Sequence, residues 1–219
     1  MHLFKNSVLG IAALLAISLM GPGTVLAVNE SRVQALMNSE IKPYLAENGH
    51  YRTLVGEQGL FVATYTLAGP GSKGDVIVSP GQGEFIPKYF ELAYDLIQRG
   101  YSAVHIMEHR GQGASERVLT DEPKKGSVHE FAEYESDLSQ LVKRVRTERP
   151  GRKLFLIAHS MGSAISMLTL HDEFSNEKVF SAAALSAPMF AIRAPVVRDT
   201  RLLLPLLRGL CVKTSTCDD

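Results

Sequence analysis

Residues 154–163 read LFLIAHSMGS, and this stretch decides the fold. Its apolar first half predicts a buried strand, and the small residues around Ser160 predict a sharp turn into a helix. The layout is that of a G-x-S-x-G turn, with Ala158 in place of the first glycine. Such a turn exposes the serine hydroxyl at the carboxyl end of a sheet, where it can attack an acyl carbon. Ser160 is therefore a candidate nucleophile. The alternative is a chance S-x-G pattern at a strand–helix junction.

A nucleophilic serine needs hydrogen-bond donors for the negative charge that develops on the attacked carbonyl oxygen. Ser160 stands at the start of the predicted helix, where the first N–H groups have no intrahelical acceptor and the helix dipole favours a negative charge. The backbone N–H of Met161 is therefore the first candidate donor. A second donor must come from another loop.

Strand-like and helix-like runs alternate along the rest of the chain. We predict an antiparallel hairpin at a sheet edge, followed by buried strands separated by helices, which is typical of an α/β fold with a mostly parallel, doubly wound sheet. Such sheets bind ligands beyond the carboxyl ends of their strands, where the loops 80–85 and 108–116 are expected to meet the Ser160 turn. The predicted strands are 52–57, 60–67, 75–79, 102–107, 153–158 and 179–185, and the predicted helices are 31–45, 87–99, 130–148 and 164–170.

Composition limits the function classes. The chain has 219 residues, a formal net charge of zero, 45% hydrophobic residues and 21% charged residues, which suits one globular domain with a real core. The absence of a basic excess argues against a nucleic-acid partner. No metal-ligand spacing is present, so we expect no metal site. Cys211 and Cys217 could form a disulfide in an exported protein, although the sequence around them does not look packed.

The first 27 residues are predicted to be a secretory signal peptide. A short polar start precedes the apolar run 8–20, which is too short to span a bilayer comfortably, and small residues end at Ala27. We expect cleavage after Ala27 and an exported protein, periplasmic or secreted and in some settings membrane-associated. The alternative is an uncleaved membrane anchor.

Three stretches together resemble a known family. They are VIVSPGQGEFIPKYFELAYDLIQRGYSAVHIMEHRGQGASER (76–117), LIAHSMGSAISML (156–168) and ALSAPMF (184–190). They resemble the bacterial lysophospholipase and monoacylglycerol lipase branch of the α/β-hydrolase superfamily, with a domain of the serine aminopeptidase S33 type. The resemblance covers roughly residues 52–190. It implies that a lysophospholipid or a monoacylglycerol is cleaved through an acyl-enzyme on Ser160, without a cofactor.

The resemblance also implies roles for the loop after the strand 75–79. This loop corresponds to the H-G-x-G loop of the family, with Pro80 in the place of the histidine. It makes the N–H of Gln82 the second oxyanion donor and gives Gly81, Gly83 and His159 contacts with the substrate.

The loop 108–116 corresponds to a family turn of the form D-x-x-G-x-G-x-S, in which Glu108 or its neighbour replaces the aspartate. We interpret this turn as structural. His109 and Arg110 are accordingly expected to hold loops in place rather than to take part in catalysis.

The family mechanism requires an acid and then a histidine after the serine. His171 is the only histidine after Ser160, and it lies ~16 Å along the predicted helix, too far for a hydrogen bond. Asp199, Asp218 and Asp219 follow no recognisable strand. We therefore expect a C-terminally truncated, inactive form. The alternative is a short hydrolase with a rewired catalytic triad.

The predicted organisation is a signal peptide over 1–27, the N-terminal part of a hydrolase domain over 28–190, and the start of a lid with an irregular tail over 191–219. The leucine-rich lid segment is expected to make peripheral contact with a membrane. Two other functions stay open at this point. The chain could be an exported carboxylesterase or serine peptidase of the same fold, or a non-catalytic, degenerate hydrolase that binds a lipid or a partner.

Overall fold

The structure, a computed structural model, describes residues 30–119, 121 and 125–189. The predicted signal peptide, the predicted lid segment and both cysteines lie outside these residues. Within the described residues, no helix is long and apolar enough to cross a membrane.

The chain divides into two compact units, Met1–Pro43 and Tyr44–Asp219. The first helical segment, residues 30–48, begins in the first unit and ends in the second. The single helix predicted over 31–45 is interrupted by a π-helical turn, which separates two shorter helices. These elements are α1 (Glu30–Leu36), the π-helical turn Met37–Ile41 and α2 (Lys42–Asn48).

A six-stranded sheet forms the centre of the second unit. Its strands are β1 (Gly49–Val55), β2 (Phe61–Ala68), β3 (Asp75–Ser79), β4 (Ala103–Met107), β5 (Leu154–His159) and β6 (Ala182–Ser186). They lie in the order β1-β2-β4-β3-β5-β6. The last four are parallel to one another, and β1 and β2 form an antiparallel hairpin at one edge. The predicted mostly parallel sheet with an edge hairpin is confirmed.

Helices connect the parallel strands, because parallel neighbours need a long crossover. They are α3 (Phe90–Gln98), which is preceded by the 3-10 turn Ile86–Tyr89, α4 (Ala132–Glu148) and α5 (Met161–Asp172). The 3-10 turn has Pro87 near its start, where a missing N–H costs no hydrogen bond.

The core lies between the sheet and the helices α4 and α5. Every residue of β3 and β4 is buried, as expected for strands covered on both faces. Helix α4 contributes a stripe at helical spacing that includes Leu138, Leu141 and Val145, and these pack against Leu156 of β5 and Ile165 of α5. Burying one such side chain stabilises the fold by about 1.5–3 kcal/mol.

Strand register brings the candidate site together. Ser79 at the end of β3 pairs with Ala158 near the end of β5, and Val78 pairs with Ile106 of β4. The three strands therefore end at the same edge of the sheet. The loops that follow them start side by side, which is the arrangement that the sequence predicts.

Candidate active site

Ser160 occupies a strained turn between β5 and α5. Its backbone has φ 47° and ψ −117°, a left-handed conformation that costs a residue with a side chain about 1–3 kcal/mol. The end of β6 holds this turn in place. The Ser160 N–H donates to the carbonyl of Ser186 at 2.9 Å, and the Met189 N–H donates to the carbonyl of Ser160 at 3.1 Å.

Gly162 lets the first turn of α5 lie directly against the end of β3. A Cβ at this position would overlap the carbonyl oxygens of Ser79 and Pro80, both of them backbone atoms. The Ser79 hydroxyl also donates to the Gly162 carbonyl at 3.2 Å. The last glycine of the G-x-S-x-G pattern is therefore required by backbone-to-backbone contact.

Residues 80–85, here called the oxyanion loop, engage the N–H groups of Gly81 and Gly83 but not that of Gln82 between them. The Gly81 N–H donates to the Glu84 carboxylate at 2.6 Å, and the Gly83 N–H donates to the side-chain oxygen of Gln112. The N–H of Gln82 has no hydrogen-bond acceptor among the described residues. Of these three groups, Gln82 alone can donate to a ligand without first breaking a hydrogen bond.

The two predicted oxyanion donors are both open. Met161 is the first residue of α5, so its N–H has no acceptor within the helix, and the N–H of Gln82 is likewise free. Gly81 and Gly83, predicted to contact substrate, cannot do so through their N–H groups in this conformation, because both groups are engaged. These four roles stay predictions.

The loop 108–116 is braced by the buried carboxylate of Glu108. This carboxylate accepts the N–H of Ile86 at 2.7 Å and also the N–H of Ala114. The Ser115 hydroxyl donates to the Glu108 carbonyl at 2.6 Å. Glu108 therefore joins its own loop to the end of the oxyanion loop, in agreement with the structural role expected for this turn.

His109 fixes the first peptide of the oxyanion loop. Its Nε2 lies 3.0 Å from the carbonyl oxygen of Pro80, and because a carbonyl only accepts, Nε2 carries the proton. Burial lowers the pKa of His109 to about 4, so the ring is neutral near pH 7. With its N–H engaged by Pro80, His109 holds the loop and does not face Ser160 as a base.

We expect the protein to lose stability as the pH falls from about 6.5 to 4. In this range an unfolded His109 binds a proton that the folded one excludes, so the free energy of unfolding falls with pH by about 2 kcal/mol between pH 7 and pH 5. Burial also lowers the pKa of His105, which acts in the same direction. His109→Gln, which keeps a donor for Pro80, should weaken this dependence in urea unfolding at the two pH values. His171→Gln, at an exposed histidine, should leave it unchanged, and equal pH dependence in both variants would contradict the assignment.

Arg110 joins the loop 108–116 to α4. Its guanidinium, fully buried, makes two hydrogen bonds of 2.7 Å to Asp137 and one of 2.7 Å to Glu133. Asp137 and Glu133 both lie on α4, whereas Arg110 comes from a loop 27 and 23 residues earlier in the chain. Arg110 is therefore a structural residue, in line with the expectation.

Glu84 connects the oxyanion loop to the Ser160 turn. Its carboxylate lies 3.0 Å from Nδ1 of His159, the residue before the nucleophile. The sequence analysis missed this residue. One feature of the sequence points to it: Glu84 lies four residues before Lys88, a spacing that favours an ion pair at the start of a helix.

No general base for Ser160 is found in the part of the chain that the structure describes. That part includes every histidine except His2, and no side chain in it hydrogen-bonds to the Ser160 hydroxyl. His171 is 83% exposed on α5 and contacts Asp172. The same residues contain no group of three potential metal ligands.

A cavity of about 260 Å³ opens beside the oxyanion loop, on its β4 side. Gln82, Gln112 and Arg117 give it a polar lining, together with several glycines. This lining suits a polar group better than an acyl chain.

Comparisons with known proteins show what this chain is similar to. A family model described as serine aminopeptidase, S33, matches residues 70–216. Lysophospholipase L2 of Escherichia coli K12 is 44% identical over 117 residues, covering 53% of this chain and 33% of that protein. Monoglyceride lipase of Rattus norvegicus is 33% identical over 117 residues, covering 53% of this chain and 35% of that protein. The matched region thus spans about a third of the length of these two relatives.

Among solved structures, a thermostable carboxyl esterase from Bacillus coagulans in complex with glycerol superimposes with a TM-score of 0.57. It is 21% identical, and the match covers 76% of this chain and 51% of that one. At this identity the likeness shows the fold alone.

Proposed function

The chain belongs to the serine aminopeptidase S33 family and has the α/β-hydrolase fold, and from this we propose that it acts as a lipid-ester hydrolase with Ser160 as the nucleophile. One observation carries the proposal. The Ser160 hydroxyl is free of side-chain partners within the described residues, at a strained strand–helix turn that lies against a loop with an open N–H at Gln82.

The proposed reaction uses Ser160 for covalent catalysis. Its Oγ attacks the ester carbonyl carbon, and the carbonyl π electrons move to the oxygen, where the N–H groups of Met161 and Gln82 stabilise the negative charge. Collapse of this intermediate breaks the bond to the alcohol oxygen, which takes up the proton that the Ser160 hydroxyl gave up, and leaves the acyl group on Ser160. Water then attacks the acyl-enzyme, releases the fatty acid and restores the hydroxyl.

The proposed substrates are lysophospholipids or monoacylglycerols. The support comes from the two curated relatives, whose names refer to a lysophospholipid and to a monoglyceride as substrates. Both substrate classes combine an acyl chain with a polar glycerol-based group, and the polar cavity beside Gln82 suits the latter.

We further propose that residues 1–219 alone turn over ester slowly or not at all. The described residues contain the proposed nucleophile and the proposed oxyanion donors, but they place no base in contact with the Ser160 hydroxyl. Without a base to take its proton, a serine hydroxyl is a weak nucleophile.

A fluorophosphonate probe and a turnover assay test these proposals together. We expect slow labelling at Ser160, located by mass spectrometry, and near-background hydrolysis of a lysophosphatidylcholine and a monoacylglycerol. Ser160→Ala should abolish the labelling. Ser163→Ala is the matched control, because the Ser163 hydroxyl is buried in the same turn and has no hydrogen-bond partner among the described residues.

The outcomes separate the hypotheses. Rapid hydrolysis that Ser160→Ala abolishes would confirm the nucleophile and contradict the proposed lack of a base. Preference for a short soluble ester or a peptide substrate would favour an esterase or peptidase. Absence of both labelling and hydrolysis in a sample that is folded by circular dichroism would contradict the catalytic proposal and favour lipid or partner binding.

A further inference from the structure

Glu84 is a buried carboxylate that the proposed reaction does not use. Four donors surround it. The Gly81 N–H donates at 2.6 Å and Nδ1 of His159 at 3.0 Å, and the Tyr89 hydroxyl and the Lys88 ammonium also donate to it. Oε2 accepts from Gly81, Tyr89 and His159, and Oε1 accepts from Lys88, so both carboxylate oxygens are engaged.

The charge state of Glu84 is well defined. Burial alone would raise the pKa of this carboxyl, but the hydrogen bonds from Lys88, Tyr89, Gly81 and His159 outweigh burial and lower the pKa to about 2. The group is therefore ionised at neutral pH. Because an ionised carboxylate only accepts, Nδ1 of His159 carries the proton of this hydrogen bond.

The contacts of Glu84 fix the backbone just before the predicted oxyanion donor. The carbonyl of Pro80 is held by His109 at 3.0 Å, and the N–H of the same peptide, on Gly81, is held by Glu84. The carbonyl of Gly81 in turn accepts the backbone N–H of Glu84 at 3.4 Å. With these groups engaged, the open N–H of Gln82 is not free to reorient.

Glu84 also bridges the two halves of the candidate site. The oxyanion loop follows β3 and His159 ends β5, and these elements are 75 residues apart where Glu84 contacts His159. A Cβ on Gly81 would lie 3.0 Å from both the Glu84 carboxylate and Nδ1 of His159, so the loop and the turn are in close contact.

We propose that Glu84 is a positioning residue that ties the oxyanion loop to the Ser160 turn and thereby aims the N–H of Gln82 at the reacting carbonyl oxygen. The catalytic half of this inference rests on the proposed function. The structural half, the contact between Glu84 and the Gly81 N–H, can be measured without any turnover.

Hydrogen exchange of the Gly81 amide, followed by NMR, tests the structural half. Glu84→Gln removes the charge and replaces one acceptor oxygen with a donor, so Gly81 exchange should rise about 10- to 100-fold. Glu116→Gln is the matched control, since the Glu116 carboxylate accepts the N–H of Phe61 at 2.8 Å in a different loop. It should change Gly81 exchange by less than about twofold. Unchanged Gly81 exchange in a folded Glu84→Gln variant overturns the proposal.

A milder variant guards against misfolding. Tyr89→Phe removes one donor from the Glu84 carboxylate and keeps its charge. It should raise Gly81 exchange about 3- to 10-fold while other buried amides keep their rates. A uniform rise across the protein would show general destabilisation instead, and would count against a specific role for Glu84.

The catalytic half is tested by the rate of the reaction at Ser160. In Glu84→Gln, kcat or the rate constant of fluorophosphonate labelling should fall about 10- to 100-fold with KM changed less than about threefold, because the oxyanion contact is made in the transition state. If Gly81 exchange is faster but the rate of the reaction at Ser160 is unchanged, Glu84 only stabilises the loop, and the proposal that it is a positioning residue is overturned. If wild-type Ser160 neither labels nor turns over, the proposed function fails and the catalytic half with it, whereas Gly81 exchange still decides the contact.

Discussion

Gly162→Ala is expected to destabilise the protein by about 3 kcal/mol, the upper end of the usual cost of overpacking, and to abolish any reaction at Ser160. The added methyl group would overlap the carbonyl oxygens of Ser79 and Pro80. Neither oxygen can move alone, because Ser79 ends a central strand and the carbonyl of Pro80 accepts from His109. The end of β3 and the oxyanion loop must therefore shift away from α5.

Helix propensity predicts the opposite sign for this change, since alanine is favoured over glycine inside a helix by about 1 kcal/mol. Urea unfolding of the wild type and of Gly162→Ala measures the change in stability, and fluorophosphonate labelling of both proteins measures the reaction at Ser160. Gly126→Ala is the control, because the nearest atom to its added Cβ, the carbonyl oxygen of Gly111, is 3.4 Å away. A Gly162→Ala variant as stable as Gly126→Ala would show that the Ser160 turn does not lie against β3 as described.

The parts of this fold that the sequence predicts well are those set by local pattern. The continuous apolar runs of β3 and β4 and the periodic stripe of α4 each require a buried strand or helix, whatever surrounds them. The Ser160 turn is likewise predicted by a local pattern, small residues between a strand and a helix. The start of strand β1 differs from the prediction because of its pairing with β2. Strand β1 starts at Gly49 rather than at residue 52 because Gly49 pairs with Leu67.

The parts that could not be predicted depend on contacts between distant segments. Glu84 contacts His159, 75 residues later in the chain, and His109 contacts a carbonyl 29 residues earlier. From the sequence alone, Glu84 and His109 can be identified only as polar residues in predicted loops. Their roles follow from strand order, because β3 lies between β4 and β5 and brings the loops after all three strands together.

Arg110→Met is expected to cost about 3–5 kcal/mol, since it removes the guanidinium from a buried ion-pair group. Asp137 would lose two hydrogen bonds and Glu133 one, and both carboxylates lie where water does not replace them. Arg110→Lys should also destabilise, because one ammonium cannot reproduce the paired contact with Asp137. The free energy of unfolding in urea measures both effects.

The matched control is Arg52→Met. It removes an arginine with similar hydrogen-bond geometry from an exposed position, so the comparison measures the effect of burial. Arg52 also makes a two-bond contact with a carboxylate, at 2.6 and 2.7 Å from Glu148, but both side chains are well exposed. An exposed pair contributes at most about 1 kcal/mol, because water solvates the separated charges nearly as well. The two arginines therefore have similar hydrogen bonds and very different expected costs. Equal destabilisation by Arg110→Met and Arg52→Met would show that the Arg110 group is reached by water, and the loop 108–116 would then lack its anchor to α4.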